Sequence, residues 1–245
     1  MDTRKIKEIK GIKEIRNGGK VIWRGDPFGD LPGPKELIGG NLQAGFYGEC
    51  PTSEFITGDG LAKLIGLTAG KSQHSTEPWL KFSYMGNVEY VAKKPFRCAI
   101  SWDNINGVNA VFGNRTVKIG EYTYKIRLMK GKTEGKQGDK SSYSGSICFG
   151  SEWNKLLLPI HKNAPSSWKH PANVNSPTED WGIRYSNDDL ITNYDNGCWA
   201  WCQEYGDSDT KRLIRGYDGV SRPGCNDPSG SGYYCGWRPV LEFVK

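Results

Sequence analysis

Three methionines and three histidines are all this 245-residue chain contains of either type. It has no C-x-x-C pair and no apolar run near the roughly 18 residues that a membrane span needs. Each absence removes a class of function. Without a long apolar run, a membrane helix is not expected. His74, His161 and His170 show no helical spacing, and Cys198 and Cys202 lie four apart across Trp-Ala-Trp, so no zinc pattern is present. Asn187-Asp188-Asp189 and Asn226-Asp227 carry oxygen ligands that could suit calcium, but Asx side chains in turns more often bond their own backbone. No metal and no cofactor are expected. Nucleophile elbows, H-E-x-x-H helices and phosphate loops are absent too, and Glu179-Asp180, Asp207 and Asp209 read as solvated loop carboxylates. An enzyme is not expected.

The opening MDTRKIKEIK lacks the apolar core of a secretory signal. Seven cysteines, an odd number, are accordingly expected as buried thiols rather than a disulfide framework. A Cys225–Cys235 bridge is the sharper alternative.

What the chain does have is 32 Gly, 13 Pro and 12% aromatic residues, including nine Trp and twelve Tyr. Such a composition favours strands, turns and a substantial core. Formal charge is +6, unevenly placed. Residues 1–25 hold Arg4, Lys5, Lys7, Lys10, Lys13, Arg16, Lys20 and Arg24 against Asp2, Glu8 and Glu14, a surplus of +5. The remaining 220 residues carry +1. Nucleic-acid binding would need a basic stripe on the aromatic-rich region, so it is not expected.

The pattern divides the chain at 25 and 36. Within residues 1–25, two alternating runs flank Asn17-Gly18-Gly19, the signature of a β-hairpin. An isolated hairpin is marginal in water, so Ile12, Ile15, Val21 and Trp23 are candidate partner-binding residues. Residues 26–36, rich in Pro and Gly, read as a linker, and 37–245 as the main body. One helix is expected from Thr57 or Asp59 to Gly66 with Leu61, Leu64 and Ile65 inward. A second is expected over Ser151–Ile160, capped by Ser151, burying Trp153, Leu156 and Leu157, and ended by Pro159. Arg115–Leu128 reads as a hairpin turning at Gly120-Glu121, and the closing run is a strand whose Pro239 suits its start or a sheet edge.

From Pro165 onward polar turns alternate with aromatic runs. Trp168, Trp181, Tyr217, Tyr233 and Tyr234 stand among Arg222, Asn226 and Asp227. Aromatic faces stack on sugar C–H surfaces while Asx and Arg groups bond hydroxyls, so these eight are the candidate ligand-binding residues. Trp199 and Trp201, two apart on one strand, are better assigned to the core.

Five runs carry a family resemblance: YVAKKPFRCAISWDNIN (90–106), YTYKIRLMKG (122–131), GSEWNKLLLPI (150–160), WAWCQEYGDSDTKRLIRGYDGVS (199–221) and GWRPVLEF (236–243). Over roughly residues 37–245 they resemble phage and prophage virion proteins of Gram-positive hosts. The closing Gly-Trp-Arg-Pro-Val-Leu also resembles the last strand of C-type-lectin-like domains. The resemblance implies an α+β, β-rich lectin-like body with about two helices and long loops, its first and last strands close together, behind a short N-terminal β-hairpin arm. It implies a tail, baseplate or appendage protein of the virion, assembled in the host cytoplasm, a homo-oligomer in the particle. Its arm would dock on other virion proteins, and its body would bind host cell-wall polysaccharide or a surface protein. The alternative is a decoration or assembly protein without a receptor role; a cell-wall hydrolase lacks its catalytic groups.

Overall fold

The computed structural model describes residues 31–133, 148, 150–162, 179–191, 199–216, 219–220 and 222–244, and the strand backbone of 14–17 and 20–24. In the arm, β1 (Glu14–Asn17) pairs antiparallel with β2 (Lys20–Arg24), setting Ile15 opposite Trp23. That hairpin falls where the Asn-Gly signal places it. Ile12 lies outside the described residues, and of Ile15, Val21 and Trp23 only the strand backbone is described.

The body is β-rich, an α+β arrangement of two sheets with four short helices among the described residues. Strand β3 (Gly39–Gly40) and β4 (Ala44–Cys50) lead into α1 (Gly58–Leu64). Then come β5 (Lys71–Ser72), β6 (Trp79–Tyr84), β7 (Asn87–Ala92), β8 (Arg97–Cys98), α2 (Trp102–Gly107), β9 (Phe112–Ile119) and β10 (Tyr122–Leu128). After α3 (Glu152–Leu157) and α4 (Asn187–Leu190), the chain ends in β11 (Trp199–Tyr205), β12 (Arg212–Arg215), β13 (Pro223–Asn226), β14 (Cys235–Trp237) and β15 (Pro239–Phe243). The larger sheet runs β3-β4-β6-β7-β15-β10-β9, antiparallel throughout; the smaller runs β13-β12-β11-β14-β8-β5, with one parallel pair, β11 and β14.

Helix starts follow local chemistry. The Thr57 hydroxyl accepts the Gly60 N–H to cap α1, and Gly66, at φ +69°, takes the left-handed turn beyond it. Ser151 caps α3 by accepting the Asn154 N–H, and Trp153, Leu156 and Leu157 are buried. Two further helices exceed the expected pair. Both α2 and α4 open on capping boxes, Ser101 with Asn104 and Ser186 with Asp189. Helix α2 buries only the hydrophobics Trp102 and Ile105, and α4 only Leu190, too few apolar positions for a period to register, so only the caps announce them.

The larger sheet is covered on both faces, which explains why all six residues of β6 are buried. Trp79, Tyr90, Tyr124 and Leu241 face one core cluster with α1 and α2, while Leu80, Phe82, Val91 and Val240 face a second with α3. The smaller sheet contributes Trp201 and Trp237 to the first and Cys202 and Leu213 to the second. Trp79, Trp153, Trp201 and Trp237 are fully buried, each worth roughly 2–3 kcal/mol of burial. The tryptophan excess is therefore mainly a core feature.

Pro239 starts β15, a central strand between β7 and β10, and so does not mark an edge. The resemblance places the first and last strands close together. β3 and β15 share a sheet but are separated by β4, β6 and β7. The described end of the compositional linker is packed down. Leu31 is fully buried, Tyr90 Oη donates to the Pro32 carbonyl at 2.8 Å, and buried Lys81 Nζ donates to the Pro34 carbonyl at 2.8 Å.

One ionic junction ties β7, β10, β15 and α3. Arg127 spends all five N–H groups: Nε on Glu242 at 2.9 Å, Nη1 on Glu152 and the Leu128 carbonyl, Nη2 on Glu89 and Glu152. One guanidinium thus faces three carboxyls. Burial, opposed by Arg127 and reinforced by Glu152, pushes the Glu89 carboxyl well above the usual range. At Glu152 burial is outweighed by the Arg127 charge and hydrogen bonds, which lower its pKa, so the two carboxyls are shifted in opposite senses.

Candidate functional site

The smaller sheet ends at β5, and beside that edge a cavity of about 370 Å³ is lined by Lys71, Ser72, Gln73, His74, Cys98 and Tyr233. Its size is within the range of small-molecule sites.

The floor is built by the chain around β5. Ser72 Oγ donates to Asp59 in the first turn of α1 at 2.7 Å, and Asp59 N–H donates to Ser75 Oγ at 2.8 Å. Arg97 fans out over the preceding turn, donating to the carbonyls of Ala69 and Gly70. These bonds hold β5 against β8. Gln73 N–H continues the pairing to the Phe96 carbonyl at 2.9 Å, and then the backbone turns sharply at His74, φ +47°. A non-glycine residue there stores strain, a feature that concentrates at binding sites. Burial, then the nearby Lys94 charge, lowers the His74 pKa, favouring neutral imidazole.

The Gln73 side chain stands apart. Neither its Nε2 nor its Oε1 has a protein hydrogen-bond partner, and both atoms are shut off from bulk water. Asn87 and Asn154 each leave one amide atom unpaired, but bond through the other. An amide orphaned at both ends is therefore particular to Gln73 among the described residues, at a cost of roughly 1–3 kcal/mol per unpaired group.

The wall opposite is the loop between β13 and β14. Asn226 and Asp227, expected to contact ligand, fold this loop. Asn226 Oδ1 accepts the Asp227 N–H and its Nδ2 donates to Cys235 Sγ at 3.2 Å. The Asp227 carboxylate accepts both N–H and Oγ–H of Ser229, which lowers its pKa. The loop so formed raises Tyr233 and Tyr234 into solvent, 56% and 40% exposed. Lys71 Nζ donates to Tyr233 Oη at 3.0 Å and lies 4.6 Å from the ring centre, an orientation that raises the Lys71 pKa. A cation and an aromatic face thus stand together over the cavity.

The other expected ligand residues are placed elsewhere or undescribed. Trp181 covers Gly39 and Gly40 at the β3 edge of the larger sheet, where a side chain at Gly39 would collide with it. Its Nε1 donates to Glu179 at 3.1 Å. Half-buried Arg222 precedes β13, its backbone closing a turn with Gly216 and Gly219. Trp168 and Tyr217 lie outside the described residues. Asn187, one of the oxygen-rich loop residues, accepts from Val220 N–H and bonds His161, while Asp189 caps α4. The alternative bridge is corrected as well: Cys225 and Cys235 are thiols not joined by a disulfide, Cys225 donating to Asp207 and Cys235 accepting from Asn226.

Lys71, Gln73 and His74 were absent from the sequence-derived site. The polar run Lys-Ser-Gln-His-Ser between two apolar segments was its only local mark. Its partner Tyr233 is 162 residues away, and no spacing rule reaches that far.

No family model matches this chain, and no curated protein does. Among solved structures, Treponema denticola variable protein 1 aligns at 11% identity over 70% of this chain and 91% of its own, with a TM-score of 0.26. A likeness that slight carries no argument about fold or function.

Proposed function

We propose that this chain is a phage virion structural protein that docks through its basic N-terminal arm and presents a C-type-lectin-like body to the host cell surface, with wall carbohydrate as the ligand. The observation that carries the binding half is the pairing of exposed Tyr233 and Tyr234 with a cavity whose wall holds an unpaired amide. Aromatic faces at the opening, with a directional amide shielded behind it, suit a sugar, apolar on its ring faces and hydroxylated at its rim. Supporting the docking half are the +5 surplus of residues 1–25 and the hairpin there.

The second reading, a decoration protein without a receptor role, is favoured by one feature. β9 is an eight-residue edge strand with Phe112 48% exposed, a surface suited to protein contact.

Labelled purified protein incubated with host cells, intact or stripped of wall polysaccharide, separates the two. Binding to intact cells alone is expected; equal or absent binding sinks the carbohydrate reading. The double variant Tyr233→Ala, Tyr234→Ala is expected to weaken binding about tenfold or more with the thermal midpoint unchanged. Undiminished binding places the site elsewhere.

A further inference from the structure

We infer that Gln73 reads a pair of adjacent hydroxyls, so the ligand of this cavity is a sugar with an unsubstituted vicinal diol. The inference rests on the carbohydrate reading above and narrows it to a chemical class.

The argument starts from the amide. A side-chain amide offers an N–H and a carbonyl oxygen side by side, one donor and one acceptor in a single plane. A vicinal diol is its complement: one hydroxyl accepts from the amide N–H while its neighbour donates to the carbonyl. A secondary amide in its usual trans form points its N–H and C=O in opposite directions. It therefore cannot meet both Gln73 atoms at once.

Both atoms of Gln73 are unpaired within the protein, and the residue lines the cavity. The backbone that carries it is fixed by the Phe96 hydrogen bond and the Asp59–Ser72 contact. Only the side-chain torsions need turn to bring the amide to the opening, and nothing bonded to the amide resists that turn. Tyr233 then supplies the stacking face for the sugar ring. The Lys71 ammonium, held at the Tyr233 hydroxyl, orients that ring and adds a donor at the rim. At the opening the amide exchanges water for the two hydroxyls, so each bond adds a modest net affinity as well as direction.

The test uses the full chain, intact host walls and walls treated with dilute periodate, which cleaves vicinal diols, followed by borohydride reduction. Native protein is expected to lose about tenfold or more in affinity on oxidised walls. Gln73→Leu should bind intact walls with a similarly reduced affinity and be indifferent to oxidation. Gln73→Glu, which keeps the acceptor and loses the donor, serves as the second variant and should fall between. Circular dichroism establishes that both fold. Equal binding of native protein to intact and oxidised walls overturns the inference while leaving the surface-binding reading standing. So does a Gln73→Leu variant that still responds to oxidation, because the diol is then read elsewhere. Failure of native protein to bind intact walls overturns the underlying reading and this inference with it.

Discussion

Arg127 and Gln73 are both polar side chains set into sheets dominated by aromatic and aliphatic packing, and their surroundings treat them in opposite ways. Around Arg127, four elements converge to supply an acceptor for every N–H, and burial shifts the Glu89 carboxyl towards its protonated form. Around Gln73, at the last strand of the smaller sheet, no protein group meets either amide atom. The first environment fixes the larger sheet; the second leaves the amide unengaged behind exposed aromatic rings. A second cavity, of about 430 Å³, opens beside Arg127, yet that guanidinium has no donor left to give. Guanidinium and amide thus differ in what they have left to offer, although Glu89, which also lines that cavity, keeps its Oε2 without a hydrogen-bond partner.

Three experiments press on this contrast. The largest effect belongs to Arg127→Met, which leaves Glu89, Glu152 and Glu242 without their common cation. Stability should fall by about 3–5 kcal/mol in urea unfolding, since a buried charge is left uncompensated. The fraction that remains folded should bind walls as before. A loss below about 1 kcal/mol would mean that the junction is not what secures these strands.

The next effect is a pH dependence. Burial, partly offset by the Gly131 and Lys132 N–H groups, lifts the Glu204 carboxyl from 4.5 to about 7, and Glu89 is raised in the same sense. Above pH 4.5 the unfolded chain releases these protons while the folded chain keeps them, so the folded state binds more protons. Stability conferred at low pH is then lost as pH rises towards 7. Glu204 alone contributes on the order of 3 kcal/mol. Urea midpoints measured from pH 4.5 to 7.5 should decline, and a rise would show that these carboxyls are ionised within the fold. Wall binding should not follow this decline, because neither carboxyl lines the Gln73 cavity; a change confined to the acid end would report His74, which does line it and whose pKa is lowered from 6.5.

The smallest effect is at Gly120, in the two-residue turn of the β9–β10 hairpin, φ +59° with open space around it. Gly120→Ala meets no neighbour and costs only backbone strain, about 1 kcal/mol. Its wall binding should match the native chain. Loss of binding there would join the larger sheet's rim to the site and blur the distinction between the two regions.

Much of the local structure was legible in the chain. Asn17-Gly18-Gly19 marked the arm hairpin, Gly120-Glu121 the second, and Thr57 and Ser151 two of the helix starts, because turns and caps depend on residues a few positions apart. Helices α2 and α4 were missed because neither carries the apolar set that Trp153, Leu156 and Leu157 give α3. Of the candidate site, Tyr233 and Tyr234 were legible from the small residues that precede them. Asn226 and Asp227 were legible as polar, but not as the groups that shape the loop. Trp181 carried the same aromatic signal as Tyr233, yet covers glycines at a strand of the other sheet.

What the sequence determined by itself is the short-range grammar: turns, caps, strand alternation, and a charge surplus confined to residues 1–25. What only the tertiary structure decided is which polar groups are spent and which are spare. Arg127 and Gln73 look equally polar in the chain. Sheet order brings Glu89, Glu152 and Glu242 to one and brings Tyr233, but no hydrogen-bond partner, to the other. Hydrogen-bond satisfaction is a property of neighbours in space, and those neighbours are set by strand pairing across more than a hundred residues.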